Sequence, residues 1–434
     1  VNPPSNPAKR LAAVLSHPTQ YYSPWFRWVR AHAALDLRVF YLWDFGVLPR
    51  HDPNFGTSLK WDVDLLSGYD SVFVPNSSRR PGAESFFGFN NPDLTRQMGA
   101  WRPDAMLLFG YKWATHLRAI AWARRRGVPI LFRGDSHLLG RGRPRLAARL
   151  ALRALFSQFA SFLYVGAANR EYFEAFGVPE RKLFFAPHSV DGSLFDPDGP
   201  GHREAAGRLR SQLGLGPATR VVLFAGKLVA AKQPVELLNA FMELRPADTA
   251  LVFVGEGQER GRLEALALEG SGAPGAPPVR FLPFANQSEM PSRYLLADLF
   301  VLPSRGFYET WGLAVNEAMQ MGVPCLVSDR VGCQRDLVTH GETGWVFDAA
   351  EPRALGRALS AALAELGSDR RRDEIRRAVA RRISGYSYAQ TTDGLICALA
   401  LSPAFSSRYP PSAAAPPKRR GTASPGSSPR RAIR

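Results

Sequence analysis

Apolar runs recur along the chain at 11–16, 37–42, 103–110, 129–132, 162–166 and 183–186, and again at 220–225, 250–254, 279–284, 299–303 and 324–329. Most are too continuous to alternate between two faces, which marks strands buried on both sides, as in parallel sheets. Between and after them lie stretches with helical spacing at 24–34, 114–126, 144–159, 313–321, 352–367, 369–384 and 386–401. Strand and helix alternating in this way predict an α/β protein. At 434 residues the chain is long enough for two domains with sizeable cores.

Three segments stand apart from this rhythm. Residues 43–96 are long, aromatic and turn-rich, with Trp61, Phe86, Phe87 and Phe89 among Gly, Pro and Asn. Such a stretch is either a binding loop or an insertion with a small core of its own. Residues 195–217, rich in Pro, Gly and charge, read as a linker. On the 144–159 helix Arg145, Arg149 and Arg153 form one stripe, and Leu152, Leu155, Phe156 and Phe159 run beside it. That arrangement suits either a membrane surface or the edge of an internal helix.

Candidate chemistry gathers where strands end, which is where open α/β sheets place their ligands. After the 299–303 run come Gly306, Tyr308, Glu309, Thr310, Trp311, Gly312 and Leu313, and then a helix that carries Glu317. The glycines allow a tight strand-to-helix loop, whose free N–H groups and helix end attract an anion. After the 220–225 run, Gly226 permits a sharp turn and Lys227 and Lys232 can flank one anion. The 129–132 run ends in Arg133, Gly134, Asp135, Ser136 and His137, either a site or a helix cap. His17 follows the first strand, as a site residue or a turn cap, and no Gly-rich dinucleotide fingerprint stands there.

Composition narrows the picture only a little. The net charge is +17, yet only seven of the 55 basic residues are lysines, so two lysines in one short loop are notable. Residues 402–434 hold seven basic and no acidic residues, which leaves +10 on the rest (17 − 7). This Ser-, Pro- and Arg-rich tail reads as disordered, an inert extension or a tether to an anionic surface. A basic body suits anionic partners without choosing among them. Three cysteines without CxxC spacing argue against a metal cluster or a disulfide framework. The polar start, and the lack of any run of 18 apolar residues, lead to a cytoplasmic expectation, with peripheral contact at an anionic membrane left open.

The 308–319 stretch, with Glu309 and Glu317 in a glycine-bounded loop and helix, resembles the Glu-x7-Glu motif of the group-1 retaining glycosyltransferases. These have the GT-B architecture, and the resemblance spans residues 11–388. It implies two Rossmann-like parallel-sheet domains facing across a cleft: 9–195 on the acceptor side and 196–385 binding a nucleotide-sugar, with a helix at 386–401 crossing back. By this likeness Glu309 contacts donor-sugar hydroxyls and Glu317 grips the ribose. Lys227 and Lys232 stand for the cations of the family's Gly-Arg-x4-Lys-Gly motif and hold the diphosphate, together with the backbone around Thr310, Trp311, Gly312 and Leu313. The turn at Pro283 and Phe284 meets the base. His137 matches a histidine near the reacting face, so the implied catalytic set is His137, Glu309 and Lys232. His17, Arg133, Asp135 and Tyr111 fall on the acceptor side.

The chain departs from the family pattern in carrying Lys227 for arginine, Gln233 for glycine, and His188-Ser189 for Asn-Gly. Residues 341–347 fit the family's closing hairpin. The implied reaction moves a sugar from a nucleotide diphosphate-sugar to a hydroxyl acceptor, a sugar or lipid-linked sugar, with retention. It needs no metal, no cofactor beyond the donor and no nucleic acid. Two other readings use the same residues: a two-carboxylate glycoside hydrolase, and a non-catalytic module for nucleotide-sugars or polyanions.

Overall fold

The computed structural model describes residues 8–52, 57–141, 144–306, 309–402 and 405. The first half runs β1 (Lys9–Leu15), α1 (Tyr22–His32), β2 (Leu35–Tyr41), β3 (Arg50–Asp52), β4 (Thr57–Leu59), β5 (Asp70–Phe73) and α2 (Leu94–Trp101). It continues through β6 (Ala105–Phe109), α3 (Ala114–Arg126), β7 (Ile130–Arg133), α4 (Leu146–Phe156), β8 (Ser161–Tyr164), α5 (Ala167–Ala175) and β9 (Leu183–Phe185). The second half has α6 (His202–Gln212), β10 (Arg220–Ala225), α7 (Pro234–Leu244), β11 (Thr249–Val254), α8 (Arg260–Ser271), β12 (Val279–Leu282), α9 (Met290–Tyr294), β13 (Leu299–Leu302) and α10 (Leu313–Gln320). It closes with β14 (Cys325–Ser328), α11 (Gln334–Leu337), β15 (Gly344–Phe347), α12 (Ala354–Leu366), α13 (Asp369–Ile383) and α14 (Tyr388–Ala400).

Two parallel sheets result, ordered β5-β2-β1-β6-β7-β8-β9 and β12-β11-β10-β13-β14-β15. Their strands are the continuous apolar runs of the sequence: β6, β7, β11, β13 and β14 are buried at every residue. Strand order reverses at β1/β6 and at β10/β13, and ligand crevices in such sheets open at those switch points. The first sheet packs α2 to α5 on one face and α1 with α14 on the other. So α14, the last helix in sequence, lies against β8, β9 and α1 of the first half. Ser387 caps its start by accepting the Gln390 N–H, and Ser368 does the same for α13 from Arg371.

Some expectations change. Residues 195–217 are not a bare linker, because α6 buries Ala206 and Leu209 against Leu296. Its charged, Gly-flanked sequence hides that short apolar pair. The 43–96 segment supplies an edge strand, β5, to the first sheet and a small antiparallel pair, β3 and β4, as well as α2. The closing hairpin at 341–347 is instead a turn and a parallel edge strand, with Cys325 to Ser328 paired to Gly344 to Phe347. Tyr308, and the tail beyond Phe405, lie outside the described residues.

The two halves touch at several points. Asp336 accepts the Ala167 N–H at 3.0 and 3.1 Å, so the second half caps α5 of the first. Arg335 makes a bidentate pair with Glu171 at 2.8 Å, on the surface. The 43–96 segment also reaches across, with Lys60 O accepting from Asn286 Nδ2 at 2.8 Å and Asp62 accepting from Ser288.

Candidate active site

A cavity of about 440 Å³ opens between the two sheets, at the carboxyl ends of their strands. Its second-domain wall is made by the loops that follow β10 and β13. Gly255, just past β11, lets the first loop pass close to it, for a Cβ there would lie 2.1 Å from the Gly226 carbonyl oxygen. The chain then reaches Lys227 and a short 3-10 turn ending at Lys232. Gln233, the glycine position of the resemblance, sits at φ 55° and ψ 43°, left-handed backbone that explains why glycine suits it.

The second loop ends at Gly312, whose φ of 101° starts α10 with a residue that needs no Cβ. Glu309 Oε2 lies 2.9 Å from Lys232 Nζ and accepts from Ser304 Oγ at 3.2 Å. Both partners of this ion pair are largely buried. Glu317 is 3% exposed. Its Oε2 accepts from Tyr294 at 2.7 Å, and its Oε1 from Tyr21 at 3.0 Å and Gln287 at 3.4 Å. Burial pushes its pKa above the usual carboxylate value, and the phenols oppose that shift.

Across the cleft the first domain pins this loop. His137 Nδ1 accepts the Leu139 N–H at 3.1 Å, so Nε2 carries the proton and donates to Glu309 O at 3.2 Å. Burial holds the His137 pKa below the ordinary imidazole value, in keeping with this neutral tautomer. Thr310 donates to Asp135 at 2.8 Å, and Asp135 lies 3.7 Å from His188 Nε2. The His188-Ser189 turn is buried: Asn316, itself bonded to Trp311 Nε1, donates to His188 O at 3.0 Å, and Ser189 meets Thr391 of α14. His17, held to Ser16 at 3.0 Å and edge-on to Phe45, has its pKa lowered to about 4 by burial. It is therefore neutral near pH 7.

The structure thus brings His17, Asp135, Lys227, Lys232, Phe284, Glu309, Thr310, Trp311, Gly312, Leu313 and Glu317 around one cavity. Four expected residues do not line it. His137 stands behind the loop it holds. Arg133 is buried with its guanidinium on Ala186 O and Pro187 O, at the crossing between domains. Tyr111 packs on Phe132 and Phe156 and bonds Tyr172, so it is a core residue here. Pro283 is outside the wall, which Phe284 supplies. Sequence reasoning missed Tyr21, Gln287 and Tyr294, which line the cavity; Trp61, named in the stretch read as either a binding loop or an insertion, lines it too. Tyr21 lies a few residues after His17, but nothing local marks it. Among the described residues no group of three His, Cys, Asp or Glu is arranged to hold a metal ion.

Residues 207–380, which hold both loops of this wall, match the family described as glycosyl transferases group 1. That match covers part of the chain and leaves the first domain outside it. The D-inositol 3-phosphate glycosyltransferase of Geodermatophilus obscurus is 33% identical over 241 residues, 53% of this chain and 49% of that protein. A GDP-mannose-dependent alpha-(1-6)-phosphatidylinositol monomannoside mannosyltransferase of Mycolicibacterium smegmatis is 32% identical over 250 residues, 56% of this chain and 60% of that protein. The chain thus spans about half the length of the curated D-inositol 3-phosphate glycosyltransferases it matches. In fold the likeness is wider. A glycosyltransferase from Rickettsia africae ESF-5 superposes with a TM-score of 0.70 at 12% identity, over 91% of this chain and 98% of that one. HepE of Anabaena, in complex with UDP and glucose, gives 0.64 at 16% identity, over 89% and 98%. Two facing parallel-sheet domains of this kind are the GT-B architecture.

Proposed function

We propose that the protein is a retaining glycosyltransferase that moves a sugar from a nucleotide diphosphate-sugar to a hydroxyl acceptor. The observation that carries this reading is the convergence of Lys232, Lys227, Glu309 and the start of α10 on one side of the cavity, with Glu317 in the same wall. Two cations and a helix N-terminus suit a diphosphate, and a buried carboxylate in reach of hydroxyl donors suits a ribose. Relatives named for GDP-mannose and for phosphoinositol or phosphatidylinositol mannoside acceptors favour a polyol or glycolipid hydroxyl, in surface polysaccharide or glycolipid assembly.

In this reaction the bond from the anomeric carbon to the diphosphate oxygen breaks, and the acceptor oxygen bonds to that carbon on the same face. The acceptor proton goes to the departing phosphate oxygen. Lys227, Lys232 and the N–H groups at the start of α10 stabilise the charge that develops there, the task a metal ion performs in other transferases. His137 keeps Glu309 in register from behind. A glycoside hydrolase would have no use for the two lysines.

The test is a thermal-shift screen of UDP-, GDP-, ADP- and CMP-sugars, followed by NMR of the anomeric proton during donor hydrolysis or transfer. One nucleotide class should raise the melting temperature, and the product should keep the donor's anomeric configuration. No shift with any nucleotide-sugar would sink the donor assignment, and an inverted product would sink retention.

A further inference from the structure

The helix α4 is apolar on two sides, and only one is covered. Leu152, Leu155 and Phe156 pack toward the first domain's core. Leu146 and Leu150, one turn apart, point outward at 70% and 57% exposure. Alanines 147, 151 and 154 are exposed around them, and Arg145, Arg149 and Arg153 are exposed along one edge of the stripe. The arginines recognised in the sequence therefore border an outer apolar face as well as the buried one.

Further exposed apolar side chains lie on and beside the neighbouring helix. α3 and α4 follow adjacent strands, start at the carboxyl ends of those strands and cover the same face of the sheet. Leu117, in the first turn of α3, is exposed, as are Phe86 and Phe87, whose loop is tied to that turn by the Ala114 N–H to Phe86 O bond of 3.0 Å. Of the nine exposed large apolar side chains among the described residues, three thus lie on these two helices and two more in the loop bonded to the start of α3. The chain from α3 to α4 is mostly basic, although Arg133 within it is buried and Glu84 stands in the Phe86 loop. Between Asp104 and Glu171 the sequence holds twelve basic residues and a single acidic one, Asp135, which faces the cavity.

We propose that the outer face of α4, with the first turn of α3, is a docking surface for an anionic lipid bilayer. α4 lies in the plane of the headgroups, its leucines reach the acyl boundary, and its arginines turn up to the phosphates. A nucleic acid or an acidic protein would satisfy the arginines and leave the leucines in water, whereas an anionic bilayer meets both. The docking is peripheral, since no helix among the described residues is long and apolar enough to cross a membrane. α4 is entered from the loop that carries His137 onto Glu309, so docking sets the rim of the cleft beside the headgroups. Only the further step, that a lipid-borne acceptor enters there, rests on the proposed function.

The full chain is sedimented with phosphatidylcholine vesicles, with and without phosphatidylglycerol, and passed over immobilised polyphosphate. Binding to the phosphatidylglycerol vesicles alone is expected, weakening with salt. Leu146→Ser with Leu150→Ser should lower vesicle affinity roughly tenfold or more while leaving polyphosphate retention nearly unchanged. Leu146→Glu with Leu150→Glu should lower vesicle affinity further, with some loss of polyphosphate retention by repulsion. Circular dichroism checks the fold of both. Vesicle binding that survives in both variants would place the contact elsewhere, in the basic tail or another surface, and overturn the proposal. So would a wild-type chain that ignores vesicles or binds polyphosphate and vesicles through charge alone. Nucleotide-sugar thermal shifts are read in parallel, so this outcome is separate from that of the donor assignment.

Discussion

On the second domain's wall of the cleft the charged groups sit on the loops after two neighbouring strands, β10 and β13, and on the helix that follows the second, and they are paired within that domain. Lys232 pairs with Glu309, and Tyr294 and Gln287 bond Glu317. On the first domain's side several polar groups come from distant points of the chain and touch the other domain. Tyr21 reaches Glu317, His137 holds Glu309 O, and Asp135 accepts from Thr310. The second wall therefore carries the charges, while the first fixes where the loop bearing them stands. Such a division predicts unequal consequences for substitutions on the two sides.

The largest effect belongs to Glu317→Ala. It removes the acceptor of three buried donors and the group assigned to the ribose. Affinity for nucleoside diphosphate should fall by about 1.5–3 kcal/mol, measured by calorimetry. Unchanged affinity would mean that the nucleotide never reaches Glu317. Next comes Lys232→Ala, which takes away a phosphate cation and leaves Glu309 partly buried without its ion pair. Roughly 1–2 kcal/mol of diphosphate affinity should go, with free nucleoside little affected. An equal loss for nucleoside and diphosphate would make the lysine structural and erase the contrast between the walls.

A substitution on the first wall sharpens the comparison. Trp61 lines the cavity opposite Phe284, 6.4 Å between ring centroids, and its segment is bonded to Asn286 and Ser288 across the cleft. Trp61→Ala should weaken nucleotide binding by about 1 kcal/mol, the scale of one aromatic contact. It should affect nucleoside and diphosphate alike, because the ring stands beside the base turn and not beside the lysines. A selective loss of diphosphate affinity would put the phosphates, not the base, at this end.

The same division explains what could be read from the chain. Buried strands such as 250–254 and 299–303 are continuous apolar runs, and the lysines and glutamates of the second wall lie within a few residues of the strands that present them. Those features are local, so they are legible. The contacts of the first wall are not: Tyr21 and Glu317 are 296 residues apart, and His137 and Glu309 are 172 apart. Nothing near Tyr21 says that its hydroxyl meets a carboxylate of the other domain. Tyr111 shows the converse difficulty, because an aromatic after a strand looks the same whether it faces a ligand or packs, as here, on Phe132 and Phe156. α6 was hidden by its flanking glycines and prolines, which signal a linker whether or not a short amphipathic turn lies between them.

The smallest effect asks whether the second wall holds its shape under strain of its own. Gln233 is left-handed at φ 55°, directly before Pro234, where α7 begins. That conformation costs an ordinary residue roughly 1–2 kcal/mol relative to glycine. Glycine would remove the strain but would leave the unfolded chain freer, an opposing term of about 0.5–1 kcal/mol. Gln233→Gly should therefore stabilise the protein by under about 1 kcal/mol, a rise of about 1–3 °C in melting temperature. Its side chain does not line the cavity, so nucleotide affinity should stay within roughly twofold of wild type, about 0.4 kcal/mol. A lower melting temperature would show that the glutamine side chain makes contacts worth more than the strain. A large gain in affinity would show instead that the left-handed residue holds Lys232 away from its best position, and that the second wall is not fully preformed.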